Sequence, residues 1–138
     1  MEPPSHPPII HTAAARRALL VGIVGPCGSG KSTLLAGLAN YGYICRHIAQ
    51  EHSYVQAMWQ IIAKPDILIY LEASFPVSTL RSQLNWLEKD HSEQLRRLTH
   101  AREHADLIVN TDDLTPEEVL RKALDFLQAK VKRERLSE

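Results

Sequence analysis

Gly25-Pro26-Cys27-Gly28-Ser29-Gly30-Lys31-Ser32 matches G-x-x-x-x-G-K-[ST] at every fixed position. Residues of these types at this spacing suit phosphate. Glycines let a short loop turn its backbone N–H groups inward into a nest for an anion. A helix opening near Lys31 adds the positive end of its dipole. The Lys31 ammonium can reach β- and γ-phosphate oxygens, and the Ser32 hydroxyl can ligate Mg2+. The expected nucleotide-binding set is Gly25, Pro26, Cys27, Gly28, Ser29, Gly30, Lys31, Ser32 and Thr33. At the average glycine frequency of about 7% in proteins generally, a chance match is expected in about one chain in a hundred or fewer. A glycine-rich turn without a ligand is the competing reading.

A site of this kind needs an acid near Mg2+ and the attacking group. Glu51 lies in Gln50-Glu51-His52-Ser53 and Glu72 follows Ile67–Leu71, so each comes after an expected strand. Glu51 is preferred as the metal-side acid beside Ser32, with Glu72 the alternative, and a solvated loop carboxylate competes with both. Arg81, Arg96, Arg97 and Arg102 follow Glu72. A guanidinium fork matches phosphate oxygens, and Arg96 and Arg97 are the favoured clamp on a transferring phosphate. Pairing with Glu88, Glu93 and Glu103 on an exposed helix face accounts for them equally well. His100 and His104, four apart, read as a helix-surface pair, because no third ligand stands at motif spacing. Trp59 and Trp86 read as core or interface residues.

The elements that must position these groups are legible. Ala18–Val24 is a short apolar run ended by glycine and proline, the pattern of a strand buried on both faces. Lys31–Asn40 reads as a helix with Leu34, Leu35 and Leu38 on one side. Tyr43–Ala49 is a strand interrupted by Arg46 and His47. Ser53–Ala63 reads as a short helix with Val55, Met58, Trp59 and Ile62 at helical spacing, stopped by Pro65. Ile67–Leu71 is a second buried strand. Pro76 opens a helix carrying Leu80, Leu84 and Leu87, and Ser92 opens another with Leu95, Leu98 and Ala101 on one face. Leu107–Val109 is the last strand. Thr115-Pro116-Glu117-Glu118 has the form of a capping box ahead of a helix striped by Leu120, Ala123, Leu124, Leu127 and Val131. Alternating strands and helices imply parallel pairing through right-handed crossovers. The expected fold is α/β in three layers, with about four parallel strands in order 2-1-3-4 and helices on both faces.

The Gly25–Ser32 segment resembles the phosphate loop (Walker A) of P-loop NTPases. From about Ala18 to Leu127 the chain is similar to their small kinase branch, which includes nucleoside, nucleotide and shikimate kinases. Lys64-Pro65-Asp66 through Ser74 is similar to the fourth strand of those kinases. His104–Asp112 with Thr115–Glu118 is similar to their last strand, adenine-side loop and final helix. Gln50-Glu51-His52-Ser53 loosely resembles the acid-Arg-Ser motif of deoxynucleoside kinases, with His52 in place of arginine. The resemblance implies ATP and Mg2+ as ligands and phosphoryl transfer to a small acceptor. The chain departs from the pattern in spending only about 35 residues between Lys31 and Ile67. One core strand and most of an acceptor site are therefore expected to be missing.

Composition sets the outer limits. The chain has 138 residues, 44% apolar and 23% charged, which fits a single globular domain. Sixteen basic side chains balance sixteen acidic ones, so no global field favours nucleic acid. Cys27 and Cys45 are too few for a disulfide framework. The apolar runs fall well short of the roughly 20 residues a bilayer span needs, and no signal peptide is read in the Pro-rich start. A soluble cytoplasmic protein without membrane contact is expected. Residues 1–16, with four of the eight prolines, read as a flexible arm, and residues 17–138 as the nucleotide-binding domain.

Three functions fit. The first is an ATP-binding kinase-type enzyme acting on an unknown small acceptor or on water. The second is a nucleotide-binding regulatory module without turnover. The third is a GTP-dependent switch, disfavoured because Asn110-Thr111-Asp112-Asp113 lacks the lysine of a guanine-reading Asn-Lys-x-Asp element. The apolar Tyr43–Trp59 side predicts a homodimer or a partner protein docking there, unless the short helix folds back and buries Met58 and Trp59.

Overall fold

The computed structural model describes residues 19–83 and 85–136. The expected N-terminal arm, Ala18 and Leu84 lie outside the described residues.

Four strands form one sheet: β1 (Leu20–Val24), β2 (Ile44–His47), β3 (Ile67–Glu72) and β4 (Leu107–Asn110). The order is β2-β1-β3-β4 and every pairing is parallel. Val21 sits opposite Ile67 in the central pair, and Ile69 opposite Leu107 in the next. Helices α1 (Lys31–Ala39), α2 (Phe75–Ser82), α3 (Glu88–Arg97), α4 (Thr99–His104) and α5 (Pro116–Leu136) connect and cover the strands.

Side chains alternate across a strand, so β3 feeds two cores. Ile67, Ile69 and Leu71 pack with Leu34 and Leu38 of α1 and with Val119, Ala123, Leu124 and Leu127 of α5. Leu68 and Tyr70 pack on the opposite face with Trp59, Ala63, Leu98 and Ala101. Both faces being covered explains why β3 reads as an unbroken apolar run. Gly22 of β1 has no room for a side chain, because a Cβ there would lie 2.7 Å from Ile48 Cδ1 and 2.9 Å from Pro65 Cβ. The capping box forms as read: Glu118 N donates to Thr115 Oγ1 (3.1 Å) and Thr115 N donates to Glu118 Oε1 (2.8 Å).

Three local expectations are corrected. The leucines after Pro76 do not line one helix. α2 stops at Ser82, Gln83 is left-handed (φ 53°), and Leu87 caps the start of α3. Leu80 is 78% exposed, because α2 turns Ser78 inward against the Gly28 turn. The Ser53–Ala63 segment is not a regular α-helix but ends in a π-helical turn, Trp59–Ala63. It buries Trp59 and Ala63 and leaves Val55, Ile61 and Ile62 exposed. The buried Gln50 amide shapes it: Oε1 accepts from Trp59 N (2.8 Å) and Nε2 donates to Val55 O (2.8 Å). Trp59 thus folds back onto the sheet, its indole N–H donating to His100 Nδ1 (3.0 Å). The helix placed at Ser92 starts earlier, at Glu88, where Asp90 Oδ2 accepts from Leu87 N (2.8 Å). It breaks at Leu98, whose side chain is buried with Ala101 while Leu95 stays exposed.

Among the described residues no helix is long and apolar enough to cross a membrane.

Candidate functional site

β1 ends at Val24 and the chain turns through Gly25–Gly30 directly into α1. Gly28 (φ +80°) and Gly30 (φ +99°) hold the left-handed conformations the turn needs. At Gly28 close approach adds a second constraint, since a Cβ would lie 2.5 Å from Ser78 O. At Gly30 a Cβ would meet nothing within 4 Å, so that side of the loop is open.

The opening is the mouth of a cleft of ≈ 680 Å³. The loop and first turn of α1, from Cys27 to Leu34, form one wall. His47, Glu51 and His52 form a second, and Leu114, Pro116 and Val119 a third, apolar one. α1 has no side-chain cap and no acid in its first turn. By contrast α5 carries its capping box, and Ser74 Oγ accepts from Val77 N to cap α2 (3.4 Å). The first N–H groups of a helix have no partner within it, so an uncapped end at a cleft suits an anion. Ser32 and Thr33 are exposed there.

Lys31 is buried beneath the loop. Its Nζ donates to Gly25 O (2.7 Å) and Pro26 O (3.0 Å) and lies 3.1 Å from Glu51 Oε2, both side chains being nearly inaccessible (6% and 3%). Two buried side-chain atoms among the described residues have no hydrogen-bond partner, Ser29 Oγ and Glu51 Oε1. Both residues line the cleft. Orphaned buried polar atoms are rare and call for a bound partner or ion. His47 titrates below the ordinary imidazole range through burial, reinforced by the Lys31 charge and opposed by Glu51.

Two further groups brace the loop. Thr111 Oγ1 is 3.1 Å from Ser29 O and 3.0 Å from Glu72 O, and accepts from Arg81 Nη1 (2.8 Å). Arg81 also donates to Thr111 O through Nη2. Gln94, buried, accepts from Cys27 N through Oε1 (3.0 Å) and lies 3.2 Å from Cys27 Sγ through Nε2.

The structure therefore brings Cys27–Thr33 and Glu51 together around one cleft, while Gly25 and Pro26 stand outside its lining with their carbonyls on Lys31. Glu72, Arg96 and Arg97 stand apart from its lining. Glu72 pairs with Arg102, 2.6 Å away, at the partly exposed end of β3. Arg96 pairs with Glu93 on the surface (2.5 Å). Arg97 pairs with Glu93 (3.0 Å), donates to Glu51 O (3.3 Å) and stacks its guanidinium 4.3 Å above the Tyr54 ring. Of the four arginines it is Arg81 that lines the cleft. His100 and His104 stack on each other at 4.2 Å beside Trp59, consistent with a surface pair.

No protein-family model and no curated protein matches the chain.

Sequence reasoning passed over His47, Thr111 and the Leu114–Val119 wall as site residues, and Gln94 as a brace of the loop. Gln94 carried a signal: His91, Gln94, Leu98 and Ala101 follow i, i+3, i+7, i+10, so both polar members lie on the stripe that is buried. For Thr111 and Leu114 the signal was the likeness of the His104–Glu118 stretch to an adenine-side loop, which named the segment but not these side chains.

Proposed function

We propose that the chain is a P-loop nucleotide-binding protein that takes Mg-ATP on Gly25–Thr33 and transfers the γ-phosphoryl group to a small acceptor or to water. The observation that carries this reading is the buried Lys31–Glu51 pair beneath an open glycine turn and an uncapped helix end. Lys31 rests on two loop carbonyls and exchanges them for phosphate oxygens when the anion arrives. Ser29 Oγ and the uncapped first N–H groups of α1 are the donors left for the same anion, since Cys27 N is bonded to Gln94 Oε1 and Ser29 N to Pro26 O. Bound Mg2+ neutralises the triphosphate, and Ser32 and Glu51 are the residues placed to hold it or its waters. The apolar Leu114–Val119 wall suits a nucleobase. Catalysis at such a site is positioning and electrostatics rather than covalent chemistry.

A second reading, a nucleotide-binding module without turnover, is favoured by the arginines. Arg96, Arg97 and Arg102 are committed to Glu93 and Glu72, which leaves only Arg81 of the four at the cleft.

Thermal unfolding with and without Mg-ATP tests binding. A ligand at about 100 times its Kd stabilises the native state by about 2.7 kcal/mol, read as a rise in Tm of several degrees. The double variant Lys31→Met/Glu51→Gln removes the buried charges together, and, once shown to be folded by circular dichroism, it should show no rise. An equal rise in both proteins would overturn the assignment. Phosphate release by the wild type, with and without a panel of small acceptors, then separates turnover from simple binding.

A further inference from the structure

Where two walls of the cleft meet, Cys27, Glu51 and His52 form a cluster, of which the nucleotide reading leaves the Cys27 thiol and the His52 imidazole without a role. Cys27 Sγ is 3.8 Å from His52 Nε2, and His52 Nε2 is 3.7 Å from Glu51 Oε2. One ligand atom from each of the three residues lies within 4.8 Å of the other two. Zinc–ligand bonds of about 2.0–2.3 Å in a tetrahedron put neighbouring ligand atoms about 3.3–3.6 Å apart. The Cys27–His52 spacing needs to close by only a few tenths of an ångström, and Glu51 would bind through Oε1, because Lys31 holds Oε2.

The chemistry of the set is selective. Thiolate, imidazole and carboxylate together suit Zn2+ rather than Mg2+, which prefers oxygen alone. An independent observation points to a missing ligand: Glu51 is buried, Lys31 holds its Oε2, and its Oε1 has no partner. The sulfur is already oriented by Gln94 Nε2 at 3.2 Å. The His52 side chain is 59% exposed, so its ring is free to turn onto an ion. Cys45, the other cysteine, lies on β2 outside the cleft lining and outside the cluster.

We propose that Cys27, Glu51 and His52 form a Zn2+ site with three protein ligands and a fourth position open to the cleft. Three ligands and one open position is the arrangement of exchangeable rather than purely structural zinc. A consequence, which does rest on nucleotide binding at the loop, is antagonism. An ion gripping Glu51 and Cys27 occupies the entrance to the turn and excludes Mg-ATP.

Cobalt(II) is the probe for the site itself. The full chain titrated with Co2+ should give a one-to-one thiolate-to-metal charge-transfer band and intense tetrahedral visible absorption, both erased by added Zn2+. Cys27→Ser, nearly isosteric and folded by circular dichroism, should abolish the charge-transfer band. His52→Ala should weaken Zn2+ binding by about 100-fold or more, since even outer-shell changes cost 10–100-fold. Cys45→Ser and His104→Ala should retain both signals. A spectrum without a thiolate band, or one that survives in Cys27→Ser, overturns the site. These readings use no nucleotide, so they stand apart from the fate of the ATP assignment. Zn2+ that leaves a wild-type Mg-ATP response intact overturns the antagonism alone.

Discussion

The Lys31–Glu51 pair is the residue-scale feature with the largest consequences. Two opposite charges nearly sealed from solvent are tolerated because they pair and because Gly25 O and Pro26 O also accept from Lys31. Removing one strands its partner. Lys31→Met alone and Glu51→Gln alone should each lower stability by about 3–5 kcal/mol. The double variant should lose less than the sum. A urea-unfolding cycle over the four proteins reads the coupling directly, and additive losses would mean that the pair is wetter than it looks. Glu72 offers the contrast. It faces Arg102 where both are partly exposed, so Glu72→Gln should cost less than about 1 kcal/mol. If the chain turns over ATP, Glu51→Gln should slow release of phosphate by about 10²–10⁴-fold, the range for losing a positioned acid or base, and Glu72→Gln should leave it nearly unchanged. The reverse ordering would move the metal-side acid to Glu72.

At the scale of elements two of the three glycines in the turn before α1, Gly28 and Gly30, are needed for different reasons. Both have positive φ, but only Gly28 also touches a neighbour, Ser78 O of α2. Gly28→Ala must therefore push α2 away from the loop and should cost more than Gly30→Ala, whose penalty is the left-handed strain of about 1–2 kcal/mol. Thermal or urea unfolding ranks the two, and equal losses would show that the α2 contact yields freely. This dependence also marks the reach of sequence patterns. The order of the four strands, the helix at Lys31 and the capping box at Thr115 come from local patterns that the tertiary structure keeps. The Leu80–Leu87 stripe was misleading because Ser78, the small residue, is what fits against Gly28, and the nearby Leu80 is left outside. The π-helical turn at Trp59 was hidden because it depends on the Gln50 amide, nine residues earlier, bonding to Trp59 N. At the site, Gly25–Ser32 was legible as a contiguous motif. Arg81 and Thr111 reach the loop from distant segments, and no spacing rule encodes that.

For the whole molecule, the cleft gathers segments from beyond the carboxyl ends of all four strands: the loop after β1, Glu51 and His52 after β2, Arg81 after β3, and Thr111 and Leu114 after β4. The two cores behind it seal the sheet on both faces and enclose weak acids with it. Tyr70 is fully buried in β3, and burial, with the Glu72 charge adding and Arg102 opposing, pushes its hydroxyl up to about 12 from 10.0. Burial alone pushes the Cys45 thiol on β2 up to about 11 from 9.0. The folded state therefore holds both protons at a pH where the unfolded chain has released them. Where the native state binds more protons than the unfolded one, stability falls as pH rises. The loss should begin near pH 9.0 with Cys45 and continue to about 12 with Tyr70. Urea midpoints measured from about pH 7 upward should be flat and then decline through this window. Cys45→Ala should delay the onset of the decline by removing the lower-pH component, and Tyr70→Phe should flatten its upper part. A decline unchanged in both variants would place the alkaline sensitivity outside the sheet.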